Sequence, residues 1–186
     1  MFSNVRSILS TLVITLACAF LLTGCAGKLD VEEAEEYDPI TWDTCSYSEG
    51  DHPCDFVLKD QNDEPWRLYD QYGSIIVIDF SAEWCGYCRV AASVLESMAN
   101  DYLGADVVFV TVLIEDNYGE PASLELTSRW SEYFGITGPV LAGDRTMINS
   151  YGIGGWKVSS WPTFFFVDRE MVLHGNIRGW SEIAIR

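Results

Sequence analysis

Apolar positions along this chain fall into runs, alternations and spaced repeats, and each pattern predicts an element. Ile75 to Phe80 is a continuous apolar run interrupted only by Asp79, and Val107 to Ile114 and Thr163 to Val167 are similar. Such runs predict strands buried on both faces. Phe56-Val57-Leu58 and Trp66-Arg67-Leu68 flank the turn-forming stretch Asp60 to Pro65, which predicts a hairpin. Met171 to Ile177 should pair with the strand before it, and Pro139-Val140-Leu141 is a short strand candidate. Apolar residues at a spacing of three and four predict a helix from about Gly86 to Leu103, through Ala91, Val94, Leu95, Met98 and Tyr102, with Gly104 as its stop. Pro121 is expected to open a second helix carrying Leu126, Trp130 and Phe134, closed by Gly135. Arg145 to Tyr151 reads as a short helix and Trp180 to Arg186 as a last one. No internal repeat or low-complexity run is present.

Strands alternating with helices imply an α/β fold, with a central sheet flanked by helices and right-handed crossovers. The terminal hairpin makes that sheet mixed. The length of 186 residues suits one domain with additional segments, and 48% apolar composition with seven Trp, nine Tyr and nine Phe excludes a wholly disordered chain.

Charge narrows the partners. A formal −17 argues against nucleic acid, because neutralising phosphates requires an excess of Lys and Arg. Residues 1–24 look like an address: Arg6 is the only charge, and Ile8 to Leu22 is largely apolar but shorter than the roughly 20 residues of a membrane-crossing helix. The segment ends in Leu22-Thr23-Gly24-Cys25, which resembles the bacterial lipobox, with Cys25 as the lipidated first residue of the mature chain. An uncleaved anchor helix, or ordinary cleavage nearby, is the alternative. From Ala26 to Asp55 there are ten acidic residues against a single Lys28. Residues 25–54 are therefore expected to form a solvated acidic tether ahead of a domain at 55–186, with an acidic docking segment as the other reading.

Six cysteines divide by position. Cys18 would be lost with the signal segment and Cys25 consumed by lipid, which leaves Cys45, Cys54, Cys85 and Cys88. An exported chain meets an oxidising compartment, where disulfides persist. Cys45 and Cys54 bracket a turn with Gly50 and Pro53, and a structural staple there would contribute about 2–3 kcal/mol in the chain-entropy model. A second redox pair is the competing reading.

Cys85-Gly86-Tyr87-Cys88 lies where the first buried strand gives way to a helix. The thiolate is the nucleophile of disulfide exchange, and an unperturbed thiol is mostly protonated at neutral pH. Unpaired N–H groups and the positive end of the dipole at a helix N-terminus stabilise the anion. Cys88, three residues on, is on the same helical face and within reach to close a disulfide. Cys85 is therefore expected to attack a substrate disulfide and Cys88 to resolve the mixed disulfide. A structural zinc site and a static disulfide compete with this reading. The pair at 45 and 54 has the wrong spacing to complete a zinc knuckle.

The run Val77-Ile78-Asp79-Phe80-Ser81-Ala82-Glu83-Trp84-Cys85-Gly86-Tyr87-Cys88 resembles the active-site strand and loop of the thioredoxin superfamily. Trp161-Pro162-Thr163, followed by Phe164 to Asp168, resembles its cis-proline loop and the next strand. Asp55 to Asp60 is similar to the entry of the redoxin or TlpA/ResA-type branch, whose members are often membrane-tethered and extracytoplasmic. The likeness covers roughly Asp55 to Arg186 and leaves room, at about Glu115 to Pro139, for the inserted strand and helix of that branch. It implies a thioredoxin-like fold and assigns roles: Cys85 as the exposed nucleophile, Cys88 as the more buried resolving thiol, and Asp79 as the buried acid that exchanges protons with Cys88. Pro162 becomes the cis-proline opposite the nucleophile, and Trp84 the aromatic that shields the pair. Plain hydrogen-bonded structure for Asp79, and ordinary packing for Trp84, are the competing roles.

Some positions depart from the family pattern. Gly86-Tyr87 replaces the usual Gly-Pro, which leaves reductant and oxidant roles open. Trp161 is bulky before a cis-proline, and Gly154-Gly155-Trp156 has no assigned place. His52 and His174, the only histidines, lie in no ligand-like spacing. The resulting expectation is a thiol–disulfide oxidoreductase with no bound cofactor or metal, lipid-anchored in the bacterial cell envelope and facing the periplasm or cell surface. Its partners would be protein thiols and disulfides together with an upstream redox protein, with cytochrome c maturation as the family's example. A peroxidase using Cys85 would ordinarily have Thr or Ser where Ala82 stands. A copper chaperone would need a placed His, and a surface module with no redox activity is the third rival.

Overall fold

The computed structural model describes residues 40–186. The segment carrying Cys18, Cys25 and the first part of the acidic stretch lies outside them. Among the described residues twelve strands and helices are formed in the order β1 (Val57–Lys59), β2 (Pro65–Arg67), β3 (Ile75–Ser81), α1 (Gly86–Asp101), β4 (Val107–Leu113), α2 (Leu124–Phe134), β5 (Val140–Ala142), β6 (Ile148–Asn149), β7 (Trp156–Lys157), β8 (Thr163–Val167), β9 (Leu173–Arg178) and α3 (Glu182–Ile185). Short 3-10 turns occupy Tyr69–Gln71 and Arg145–Met147.

The central sheet has the order β5-β4-β3-β8-β9, with β3 at its middle. β3 pairs in parallel with β4 and antiparallel with β8, so the sheet is mixed, as the terminal hairpin led us to expect. Because successive side chains on a strand point to opposite faces, β3 divides its residues between two cores. Val77 joins Phe109, Leu113 and Phe164 under α1 and α2, where Ala91, Leu95, Met98, Leu126 and Trp130 are buried. Ile76, Ile78 and Phe80 join Val110, Val112, Phe165 and Val167 on the opposite side. All three α-helices contribute buried residues to the first core. The second face is covered by the hairpin β1–β2, the 3-10 turns and the ribbon β6–β7.

Three segments differ from expectation. Pro121 does not open α2: its backbone bridges to Glu115 and the Ala122 N–H bonds to the Gly143 carbonyl. The helix starts at Leu124, capped by Ser123 Oγ, which accepts the Leu126 N–H at 3.2 Å, and it ends on Gly135 at φ 68°. The stretch Arg145 to Tyr151 stops being helical after Met147, because Ile148 and Asn149 pair in parallel with Trp156 and Lys157. Residues 42–54, expected in a solvated tether, lie on the sheet. Cys45 and Cys54 are joined by a disulfide, Gly50 and Asp51 exchange backbone bonds with Leu173, and Trp42 and Tyr47 pack against the second core. Aromatic side chains within the acidic run supply the apolar contact that charge alone would not predict.

The ribbon also explains Gly154-Gly155-Trp156. Trp156 is 1% exposed and packs against Phe80 and Phe165. A Cβ on Gly155 would sit 2.9 Å from the Met147 carbonyl oxygen and 3.1 Å from the Ile148 carbonyl carbon. Backbone cannot swing aside as a side chain can. Gly155→Ala is therefore expected to lower stability by about 1–3 kcal/mol, read from urea unfolding. An unchanged midpoint and slope would contradict this packing.

Candidate active site

β3 delivers the chain to the end of the sheet, and four residues later Cys85 becomes the N-cap of α1. Cys85 has extended backbone (φ −81°, ψ 111°), and its Sγ accepts the Cys88 N–H at 3.1 Å, so the sulfur takes the place usually filled by a Ser or Asp oxygen. The first turn of α1 contains no acidic residue to oppose a thiolate there. Cys85 and Cys88 are joined by a disulfide, so this is the oxidised form. Cys85 is 5% exposed and Cys88 0%. The expected order of accessibility holds, but Cys85 is not the exposed thiol that was anticipated. Its sulfur is bonded to that of Cys88, which belongs to the buried face of α1, and this draws it inward.

Asp79 occupies an odd-numbered position of β3 and so faces the α1 side, as Val77 does. It is 1% exposed, and its carboxylate accepts the hydroxyls of Ser81 at 2.8 Å and Thr111 at 3.4 Å. Burial raises its pKa from 3.8 to about 7, against the smaller lowering effect of those two hydrogen bonds. A carboxyl poised there can hold or release a proton at physiological pH.

The Trp161–Pro162 peptide is cis, Pro162 is buried, and the Pro162 carbonyl accepts the Gly179 N–H at 2.7 Å. The rings of Trp161 and Trp84 meet edge to face at 5.8 Å. Trp84, immediately before Cys85, is 45% exposed, and its indole N–H donates to Glu115 Oε2 at 2.9 Å.

Four charged residues around this loop were not singled out in the sequence. Glu83 is 9% exposed, with its carboxylate held by Arg129 of α2 at 2.8 Å and by the Asn117 N–H at 3.1 Å. Glu115, just past the end of β4, is 2% exposed and pairs with Arg145. Glu115 carried the same signal as Asp79, an acid attached to a continuous apolar run, whereas Arg129 and Arg145 gave no local sign. The histidines lie elsewhere: His52 stacks on Trp42, and His174 pairs with Asp168 at 2.6 Å. Among the described residues no three His, Cys, Asp or Glu side chains are grouped to hold a metal ion.

Residues 50–175 match the AhpC/TSA family. The thioredoxin-like protein YneN of Bacillus subtilis is 28% identical over 125 residues, which are 67% of this chain and 68% of that protein. The thiol-disulfide oxidoreductase ResA of Geobacillus thermodenitrificans is 31% identical over 117 residues, 62% of this chain and 60% of ResA. Among solved structures, a candidate thiol:disulfide interchange protein DsbE from Chlorobium tepidum superposes with TM-score 0.60 at 24% identity, covering 75% of this chain and 92% of that one. The exposed lipoprotein thioredoxin of Streptococcus pneumoniae gives TM-score 0.57 at 26% identity, covering 71% and 94%. The first of these two speaks for the fold alone. Taken with the fold and the paired cysteines at the head of α1, these matches show that the chain belongs to the AhpC/TSA family, as a thioredoxin-like thiol–disulfide oxidoreductase.

Proposed function

We propose that Cys85 and Cys88 are the exchanging pair of this enzyme. In the reduced protein the Cys85 thiolate attacks one sulfur of a substrate disulfide, a mixed disulfide forms, and the other substrate sulfur leaves as a thiolate. Cys88 then attacks Cys85 Sγ and expels the second substrate thiolate. Two electrons pass to the substrate, and the Cys85–Cys88 disulfide is the product. Run in reverse, the same steps oxidise a dithiol. Asp79 takes the Cys88 proton during resolution, Pro162 presents backbone opposite the nucleophile, and Trp84 shields it. The observation that carries this reading is the Cys85 sulfur capping α1 while bonded to Cys88. An anion at that cap is stabilised by helix N–H groups, which makes Cys85 the better attacking thiol.

The same reading puts the domain outside the cytoplasm, on a lipid attached to Cys25 after removal of residues 1–24. Two findings support this. The Cys45–Cys54 disulfide suits an oxidising compartment, and a structural relative is described as an exposed lipoprotein thioredoxin. There the enzyme exchanges with protein thiols and disulfides and is itself reset by an upstream redox protein. Keeping selected cysteines reduced, as in cytochrome c maturation, is the task that the TlpA/ResA resemblance favours.

Trapping tests the assignment. Cys88→Ser should accumulate mixed disulfides through Cys85, seen as higher-mass bands that collapse with reductant and are absent from the Cys85→Ser/Cys88→Ser double variant. Adducts formed equally by both variants would refute it.

A further inference from the structure

Glu115 is deeply buried at the end of β4, yet no step of the exchange uses it. Its carboxylate is divided between two partners: Oε1 pairs with the Arg145 guanidinium from the turn after β5, and Oε2 accepts the Trp84 indole N–H at 2.9 Å. A carboxylate removed from water is destabilising unless it is both paired and hydrogen-bonded, so a buried acid held from two sides is a built feature. A tryptophan that is 45% exposed would otherwise be free to change rotamer. Here its N–H is tied to a carboxylate, a bond typically shorter and stronger than one between neutral groups. The ring so fixed meets Trp161 edge to face. Trp161 in turn forms one wall of a polar cleft of about 340 Å³ whose lining includes Asn149, Ser159 and Arg145 itself. The ion pair, the two rings and the cleft are therefore continuous, and they lie beside the nucleophile and the Pro162 loop.

We infer that Glu115 is a positioning residue. With Arg145 it locks Trp84 against Trp161 as a fixed two-ring wall, along which an extended polypeptide segment bearing the substrate disulfide is laid. Recognition of a protein substrate depends on this wall, and Glu115 and Arg145 take no part in the sulfur chemistry themselves. The inference deepens the exchange reading above and rests on it.

A double-mutant cycle in the full chain tests it, with insulin disulfides as the probe and dithiothreitol as the reductant. Glu115→Ala should raise KM for insulin about tenfold and change kcat by less than about twofold. Trp84→Ala should raise KM to a similar degree, and the double variant should be no worse than Trp84→Ala alone, because Glu115 acts through that ring. Fluorine NMR of fluorotryptophan-labelled protein should show the Trp84 resonance shifted or broadened in Glu115→Ala. If Glu115→Ala does not fold, the near-isosteric Glu115→Gln takes its place in the cycle with a KM increase of about threefold. An unchanged KM, or KM effects that multiply in the double variant, would overturn the inference. Cys85→Ser separates this failure from the other: turnover surviving in that variant removes the exchange reading, whereas a multiplicative cycle with Cys85→Ser inactive removes only the role of Glu115.

Discussion

Cys85→Ser is expected to bring the reduction of insulin disulfides down to the uncatalysed background, a loss on the order of 10³-fold or more. The reason lies in the acid–base chemistry of the cap. A thiolate at the head of α1, with no acidic residue in the first turn to oppose it, is stabilised by the helix N–H groups, and the sulfur already accepts the Cys88 N–H. A serine hydroxyl in the same place can accept that N–H just as well, so the helix should keep its cap and the protein its fold. It cannot supply an anion at neutral pH, and a single remaining thiol cannot complete a dithiol exchange. Far-UV circular dichroism should therefore match the parent while turnover vanishes. Turnover within about tenfold of the parent, in a variant of intact fold, would move the chemistry to another cysteine.

Asp79→Asn should stabilise the oxidised protein, and only on the alkaline side. The folded carboxyl has a pKa of about 7 against an ordinary value of 3.8, and burial is the main cause. Between those two values the folded state binds the proton that the unfolded chain has released, so stability falls as pH rises from about 4 to about 7 and levels off above that. Three pH units correspond to about 4 kcal/mol, an upper bound on what removing the buried charge can return at pH 8. At pH 4 the carboxyl is protonated in the folded state, and the variant should differ little from the parent. Urea unfolding at pH 4, 6 and 8 reads the difference directly, and identical pH dependence in both proteins would show that Asp79 does not titrate in this range. The variant should also hold mixed disulfides longer, because Cys88 loses its proton acceptor.

How much of this was legible in the sequence depends on how locally each feature is encoded. β3, β4 and β8 are written as continuous apolar runs, and α1 as a three-and-four repeat ending in Gly104; all four appear near their expected bounds. Pro121 is a strong local signal for the start of the helix after β4, but Ser123 competes with it, and the pairing of Pro121 with Glu115 decides the outcome. β6 and β7 were not legible at all. Each has two residues, and their pairing depends on Trp156 finding Phe80 and Phe165, which are distant in sequence. The cysteine pair and Asp79 could be read from one contiguous motif. Glu115 and Arg145 could not be joined by inspection, since they meet only after β4, α2 and β5 have been laid down.

The stapled loop between Cys45 and Cys54 has a mechanical consequence. A pull arriving from the chain before residue 40 would cross from Cys45 to Cys54 through the covalent link, so the Gly50 and Asp51 backbone bonds to Leu173 on the outermost strand would carry none of it in series. β3, which delivers the nucleophile, lies two strands inward. The loop between the two sulfurs would therefore keep its grip on the rim of the sheet while the pull passes on to Asp55.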